Sequence, residues 1–136
     1  MFEWKDEYLV GVTAIDEQHK QLFRLAARFH GAIVANKGKA MLDELFEALL
    51  RYTTGHFQVE DRLMAAIDYP ERAKHLVVHH DLRERLMASH ERFESGETVT
   101  IRLHQFMTRL TEHITSTDRK LGEYHRMKRD AHPVTE

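Results

Sequence analysis

Two histidines of the segment HLVVHH occupy positions that the apolar pattern assigns to the inside of a helix bundle. His75 and His79 are four residues apart, so a helix turns them to the same side, and that side also carries Leu82 and Leu86. Burying a polar group that has no partner costs about 2 kcal/mol or more. A helix that directs two histidines into the core therefore requires something there to compensate them.

Three further segments direct similar groups inward. His19 lies on the apolar stripe of the first segment, and His56 and Glu60, four residues apart, lie on that of the second. His113 lies on the stripe of the last segment, and Asp118, five residues further on, is about 140° from it around an ideal helix. Burying five imidazoles and two carboxylates without partners would cost an amount comparable to the ~5–15 kcal/mol stability of a whole domain. Because neutral imidazole and carboxylate are metal ligands, the set predicts a metal site.

The number of ligands favours two ions. Seven groups are too many for one tetrahedral zinc, which takes four ligands. Two octahedral ions bridged by both carboxylates would use the five histidines as terminal ligands, and iron suits this mixture. The carboxylate-rich di-iron bundles use Glu-x-x-His pairs, a pattern that does not occur in this sequence. The alternative is a metal-free bundle in which every inward histidine pairs with some other buried group.

Helical periodicity covers most of the 136 residues and predicts an all-α fold. We expect helices over about 16–36, 40–66, 70–93 and 98–121, with Pro70 at the first position of the third helix and the sequence ESGE at its end. Long helices joined by short turns form an up-down-up-down antiparallel four-helix bundle. We expect one domain over 1–136, comprising an extended N-terminal arm (1–15), the bundle (about 16–121) and a polar tail (about 122–136) that frays after Tyr124.

The composition argues against several partners. The 20 basic and 22 acidic residues give a net charge of −2, which favours neither nucleic acid nor an anionic membrane. No segment approaches the ~20 apolar residues of a membrane span, the N-terminus has no signal-peptide pattern, and the absence of cysteine excludes thiolate chemistry. We expect a cytoplasmic monomer. Six of the 11 histidines receive no site role: His30, His80, His90, His104, His125 and His132.

Four segments of the sequence resemble the hemerythrins, specifically the single-domain bacterial members of that family, the bacteriohemerythrins. The segment FEWKDEYLVGVTAIDEQHKQLF is similar to the family's N-terminal arm and first ligand. The segments HFQVEDRLM, YPERAKHLVVHHDL and LTEHITSTD are similar to its His-Phe-x-x-Glu motif, its Tyr-Pro lead-in with His-x-x-x-His, and its closing His-Ile-x-x-x-x-Asp. The four segments follow the family's order and extend from about Trp4 to Asp118.

The resemblance implies a cofactor of two iron ions with an oxo or hydroxo bridge. One iron would take His75, His79 and His113; the other would take His19 and His56; Glu60 and Asp118 would bridge the two. Dioxygen would bind reversibly at the open position of the two-histidine iron, for carriage, storage or delivery. The resemblance and helical spacing place three residues around that position: Leu110, Ile114 and Phe23.

Two residues depart from the family's usual pattern without removing a ligand. Arg109 stands where the fourth helix commonly has tryptophan, and Leu121 stands where a tyrosine commonly follows the bridging aspartate. An arginine beside the pocket would admit water or an anion and shorten the life of the oxygenated form. The leading hypothesis is a binding protein with no catalytic residue. The alternatives are an oxygen or redox sensor acting in trans, and a di-iron enzyme that reduces peroxide or nitric oxide or oxidises ferrous iron.

Overall fold

The computed structural model describes residues 2–94 and 99–131, most of which lie in four long helical segments. These are α1 (Thr13–Val34), α2 (Lys39–Ala66), α3 (Arg72–Glu94), and a fourth segment in which α4 (Thr100–His113) continues through a π-helical turn (Ile114–Asp118) into α5 (Arg119–Ala131). Each helix packs against the next, and α4 packs against α1, which closes the bundle. The prediction of an all-α four-helix bundle is confirmed. None of the helices within the described ranges is long and apolar enough to cross a membrane.

The interior of the bundle has an apolar half and a polar half. In the apolar half, Phe29 packs edge-on against Phe46 with ring centroids 4.9 Å apart, and Phe46 stacks on Phe93 at 5.7 Å. Neighbouring helices run antiparallel, so the beginnings of α1 and α3 meet the ends of α2 and α4 in the other half. Those four helix ends carry the inward-facing histidines and carboxylates.

The N-terminal arm, residues 2–12, is anchored to the first turn of α1 through Asp16. One carboxylate oxygen accepts the backbone N–H of Val10 at 2.8 Å, and the other accepts that of Gly11 at 3.2 Å. Gly11 has φ +90°, a conformation that side-chain-bearing residues rarely adopt. The arm also packs on α1, since Trp4 and Tyr8 contact the ring of Phe23 at centroid distances of 5.5 and 5.4 Å.

The arm approaches the fourth helical segment most closely at Gly122 in α5. A Cβ atom on Gly122 would lie 1.9 Å from the carbonyl oxygen of Val10 and 2.9 Å from its carbonyl carbon. Nearby, the guanidinium of Arg119 donates to the carbonyl oxygen of Glu7. The arm therefore lies in a groove that only a residue without a side chain leaves open.

Four helix ends differ from the predictions by two residues or more, one of them the end of α1, at Val34 instead of residue 36. α1 begins at Thr13 instead of residue 16, because the N–H of Asp16 already bonds to the carbonyl of Val12 at 2.9 Å. α3 begins at Arg72, since Pro70 lies in a turn that is closed by the Arg72 N–H and the Tyr69 carbonyl at 3.2 Å. The expected fraying after residue 124 is wrong as far as Ala131, where α5 ends. The third helix ends at Glu94, close to the predicted residue 93, whereas the helix start predicted at residue 98 and the tail from residue 132 lie outside the described residues.

The fourth helical segment continues past its predicted end at residue 121, and its local sequence explains why. Residues 119–131 are rich in Lys, Arg and Glu, which favour helix even where no apolar stripe marks it. The Nζ of Lys128 also lies 5.9 Å from the ring centroid of Tyr124, one turn earlier. Apolar periodicity alone therefore underestimates this helix.

Candidate metal centre

The structure brings all seven predicted ligand residues together, and each is at most 5 % exposed. Every long helical segment contributes: His19 from α1, His56 and Glu60 from α2, His75 and His79 from α3, His113 from α4 and Asp118 from the π-helical turn. The residue pairs on α2 and α3 share a face because they are four residues apart, as the sequence predicts.

Three histidines lie around one oxygen of Glu60, and two of them also lie beside one oxygen of Asp118. The Oε1 atom of Glu60 lies 3.0 Å from His75 Nε2, 2.8 Å from His79 Nε2 and 3.8 Å from His113 Nε2. The Oδ1 atom of Asp118 lies 3.0 Å from His75 Nε2 and 2.9 Å from His113 Nε2. These five residues offer ligand atoms that all lie within 4.8 Å of one another.

Two histidines surround the other oxygens. The Oε2 atom of Glu60 lies 2.8 Å from His56 Nε2 and 3.4 Å from His19 Nε2. The Oδ2 atom of Asp118 lies 3.0 Å from His19 Nε2. Each carboxylate thus presents one oxygen to a three-histidine group and the other to a two-histidine group. This arrangement suits two cations bridged by both carboxylates.

Several of these short contacts are not hydrogen bonds. His19 Nε2, His113 Nε2 and both Asp118 carboxylate oxygens are buried and have no hydrogen-bond partner within the described part of the chain, although they lie about 3 Å from one another. His56 Nε2 and Glu60 Oε2 are likewise buried without a hydrogen-bond partner, although they lie 2.8 Å apart. Their geometry fits atoms directed at a common point between them better than atoms directed at each other. A cation there would satisfy buried groups that are otherwise costly.

The carboxylates raise the pKa of three histidines in the metal-free cluster, His19, His75 and His113, although burial lowers it. Burial lowers the pKa of His19 and His113, but Asp118 and Glu60 raise it by more, to about 9 for His19 and about 10 for His113. Burial raises the pKa of Glu60, but the surrounding histidines lower it by more and hold the pKa of this carboxyl well below its usual range. The pKa of Asp118 is lowered as well, mainly by His113, against the effects of burial and of Glu60. Protons therefore occupy part of this cluster at neutral pH when no cation does.

The π-helical turn decides where Asp118 points. On an ideal α-helix, the five-residue spacing would leave Asp118 about 140° away from His113. A π-helix closes its hydrogen bonds between residues five apart, so the turn brings the two side chains to the same face. The hydroxyls of Thr115 and Ser116 donate to carbonyl oxygens one turn earlier, at 2.9 and 2.5 Å, and satisfy groups near the change of register.

Gln18 is a site residue that the sequence reasoning missed. The Nδ1–H of His56 donates to the Oε1 of Gln18 at 2.6 Å. This bond orients the ring of His56 and directs its Nε2 toward Glu60. A glutamine beside a histidine on a helix carries no distinctive pattern, because its contact with α2 arises only when the helices pack.

Replacing Gln18 with leucine is expected to weaken metal binding on the two-histidine side. Loss of a hydrogen bond to a ligand histidine typically lowers metal affinity about 10–100-fold. Anaerobic Co²⁺ titration monitored by absorption measures this, with Gln21→Leu on the exposed face of α1 as the matched control. Equal affinities for the two variants would show that Gln18 does not position His56.

The structure locates the proposed pocket residues and the two departures from the family pattern. Leu110 and Ile114 are fully buried on either side of His113 in sequence, and Phe23, 4 % exposed, lies one turn after His19 under the arm. Leu121 is also fully buried. Arg109, in contrast, lies at the surface, about 100° around the helix from Leu110. Its exposure removes the reason to expect that it opens the pocket.

The other histidines in the described ranges stay outside the cluster. His80 is exposed, and His30 and His104 meet edge-on at a centroid distance of 6.2 Å. His90 Nε2 lies 2.6 Å from the carboxylate of Asp43. Position on the apolar stripe therefore separates site histidines from the rest.

The fold and the cluster together define a class: four-helix-bundle proteins with a buried histidine–carboxylate centre able to bind metal. The family model of the hemerythrin HHE cation binding domain matches residues 10–124. The chain belongs to the hemerythrin family.

Several curated relatives are similar over most of their length. The bacteriohemerythrin of Stenotrophomonas maltophilia is 30% identical over 121 residues, which cover 88% of this chain and 78% of that protein. The bacteriohemerythrin of Pseudomonas aeruginosa is 32% identical over 116 residues, or 85% of this chain and 75% of the relative. That of Clostridium acetobutylicum is 26% identical over 127 residues and is covered over 98% of its length. The resemblance found in the sequence is confirmed.

Proposed function

We propose that the protein binds two iron ions at this cluster and reversibly binds dioxygen there, for carriage, storage or delivery. One ion would be held by His75, His79 and His113, the other by His19 and His56, and both by Glu60 and Asp118. The proposal rests on membership of the hemerythrin family and on the donor set, since imidazole with carboxylate suits iron.

The observation that carries the proposal is the division of the carboxylate oxygens. Taken together, Oε1 of Glu60 and Oδ1 of Asp118 face the three imidazoles of one group. Oε2 of Glu60 and Oδ2 of Asp118 together face the two imidazoles of the other group. The two groups thus offer unequal numbers of protein ligands, three imidazoles against two, with the same two bridges. The ion with fewer histidines has room for an exogenous ligand, which supports the assignment of dioxygen to that side.

A di-iron centre, when bound, supplies two electrons for reversible dioxygen binding. The chain's own residues hold the ligands and exclude water. Leu110, Ile114 and Phe23 form the proposed apolar surroundings of the ligand, in agreement with their burial. A surface cavity of about 560 Å³ between the arm, α1 and α4 includes Phe23 in its lining, which supports an approach from that side. No side chain is assigned as a general acid or base.

Iron analysis followed by absorption spectroscopy tests this function. The purified protein is expected to contain about two iron ions per chain, and after anaerobic reduction its charge-transfer bands should appear in air and fade under vacuum. Two irons that pass directly to a stable ferric state would contradict reversible oxygen binding and favour a sensor or an enzyme. A helical protein without iron under loading conditions would overturn the metal assignment itself.

Metal loading is expected to release at least two protons per chain at pH 7, because the metal-free forms of His19 and His113 have pKa values of about 9 and about 10, and the pKa of His75 is raised as well. The same shifts make the metal-free protein less stable as the pH rises. The raised pKa values mean that the folded chain binds more protons than the unfolded chain above pH 6.5, so their stabilisation is full below that pH and is lost as the pH approaches 10.

Urea unfolding of the chelator-treated protein between pH 6.5 and 10 measures the second effect, and a pH-indicator titration with Co²⁺ measures the first. His113→Gln should reduce both the number of protons released and the dependence of the unfolding free energy on pH. His104→Gln, on the same helix but outside the cluster, should change neither. A flat stability profile in the unsubstituted protein would contradict the expected protonation.

A further inference from the structure

A threonine lies among leucines directly beneath the metal centre. Each long helix places one buried residue three positions from a ligand histidine, on the side toward the apolar half of the bundle: Leu22 in α1, Thr53 in α2, Leu82 in α3 and Leu110 in α4. Because neighbouring helices are antiparallel, these four residues lie at about one level, and none is more than 2 % exposed. We call this set the Thr53 layer. Its only polar group is the hydroxyl of Thr53.

The Thr53 hydroxyl has no hydrogen-bond partner within the described ranges, although its Oγ1 is buried. A hydroxyl on a helix can donate to the carbonyl oxygen one turn earlier, and three residues in this protein do so at 2.8–2.9 Å: Ser89, Thr111 and Thr115. Thr53 makes no such bond. Because a buried hydroxyl without a partner destabilises a fold, this one is free to bond to a group from outside the chain.

The neighbours of Thr53 on α2 show which way it faces. Around the helix axis, Thr53 lies between His56 and Phe57, about 60° from the first and about 40° from the second. His56 faces α1, to which its ring is hydrogen-bonded, and Phe57 faces α3, where its ring stacks on that of His79 at 3.9 Å. The direction between α1 and α3 leads to α4, which carries Leu110 at the same level. Thr53 therefore faces the centre of the bundle.

We propose that the Thr53 hydroxyl donates a hydrogen bond to the small ligand that binds at the open position of the two-histidine ion. This inference rests on the proposed function, which places that ligand beside Leu110. Thr53 lies one turn from His56, one of the two histidines on that side, so Thr53 and Leu110 border the same space beneath the ion.

The hydroxyl makes the pocket selective. Binding sites that are mainly apolar use a few placed polar groups to orient a ligand. In a buried, weakly polarisable pocket, a single O–H donor favours a ligand on which negative charge accumulates, because such a ligand is the better acceptor. Thr53 is thus a positioning residue for dioxygen and for small anions, whereas the leucines of the Thr53 layer exclude water.

Azide titration of the oxidised, iron-loaded protein, followed by absorption, tests this contact, because azide is a small anion with acceptor atoms at its ends. Thr53→Val replaces the hydroxyl with a methyl group of nearly the same size. We expect this variant to bind azide about tenfold more weakly, as for the loss of a hydrogen bond to a charged acceptor. Thr54→Val, the same change about 100° around α2, is the matched control and should bind azide within about twofold of the unsubstituted protein.

Urea unfolding of the chelator-treated proteins separates a contact with the ligand from a contact within the fold. Thr53→Val should be at least as stable as the unsubstituted protein, since the hydroxyl that it removes has no partner in the described part of the chain. A clear loss of stability would overturn the inference, because the hydroxyl would then be bonded within the fold.

The metal content of each protein distinguishes the two possible failures. If both ions are bound and Thr53→Val binds azide as tightly as the unsubstituted protein, or no more weakly than Thr54→Val, the inference is overturned and the proposed function is not. If the unsubstituted protein holds no metal under loading conditions, the proposed function is overturned and this inference with it.

Discussion

Replacing Glu60 with glutamine is expected to release both metal ions. The carboxylate of Glu60 lies within 2.8–3.8 Å of all five histidine Nε2 atoms of the cluster. Glutamine has nearly the same size, but its amide is neutral and has one oxygen, so it cannot give an anionic oxygen to each of two cations. Loss of a residue that only supports a ligand costs about 10–100-fold in affinity, and loss of a shared ligand should exceed about 100-fold.

Iron content per chain and anaerobic Co²⁺ titration measure this effect. Glu44→Gln is the matched control, since it lies on the exposed side of the same helix and changes the charge equally. Circular dichroism of the metal-free forms separates loss of metal from loss of fold. If the Glu60→Gln protein retained two ions at normal affinity, Glu60 would not be the bridge.

Replacing Gly122 with alanine is expected to displace the N-terminal arm and to destabilise the protein by about 3 kcal/mol, the upper end of the usual cost of overpacking. The added methyl group would lie 1.9 Å from the carbonyl oxygen of Val10, which is backbone and cannot rotate away. The hydrogen bonds from Val10 and Gly11 to Asp16 would then have to lengthen or break. Urea unfolding measures the stability.

Trp4 is the only tryptophan and reports directly on the arm. It packs edge-on against Tyr8 and Phe23, so its fluorescence should shift to the red when the arm leaves α1. Gly55→Ala is the matched control: Gly55 is exposed in α2, a Cβ atom there meets nothing within 4 Å, and alanine should stabilise the helix by about 0.5–1 kcal/mol. A Gly122→Ala protein as stable as the control would contradict the close packing.

Most of the fold follows from local patterns. A stripe of apolar residues every three to four positions forms wherever a helix must bury one side, so helices and their inward faces are visible in sequence. The helix ends are harder to predict, because they depend on turn geometry: the Asp16 N–H bonds to the Val12 carbonyl at the start of α1, and the Arg72 N–H bonds to the Tyr69 carbonyl at the start of α3. The helix over residues 119–131 is polar overall and buries only Leu121 and Gly122, so apolar periodicity missed most of it.

Part of the membership of the metal cluster was likewise readable from the sequence by itself, because four-residue spacing on a helix determines which side chains share a face. His56 with Glu60 and His75 with His79 needed no tertiary information to be paired. Tertiary structure decided which carboxylate oxygen faces which histidines, and the π-helical turn decided that Asp118 reaches the cluster at all. Gln18 and Gly122 gain their roles only from other segments packed against them. The physical reason is range: helical periodicity acts over a few residues, whereas contacts between helices depend on packing that no short stretch of sequence encodes.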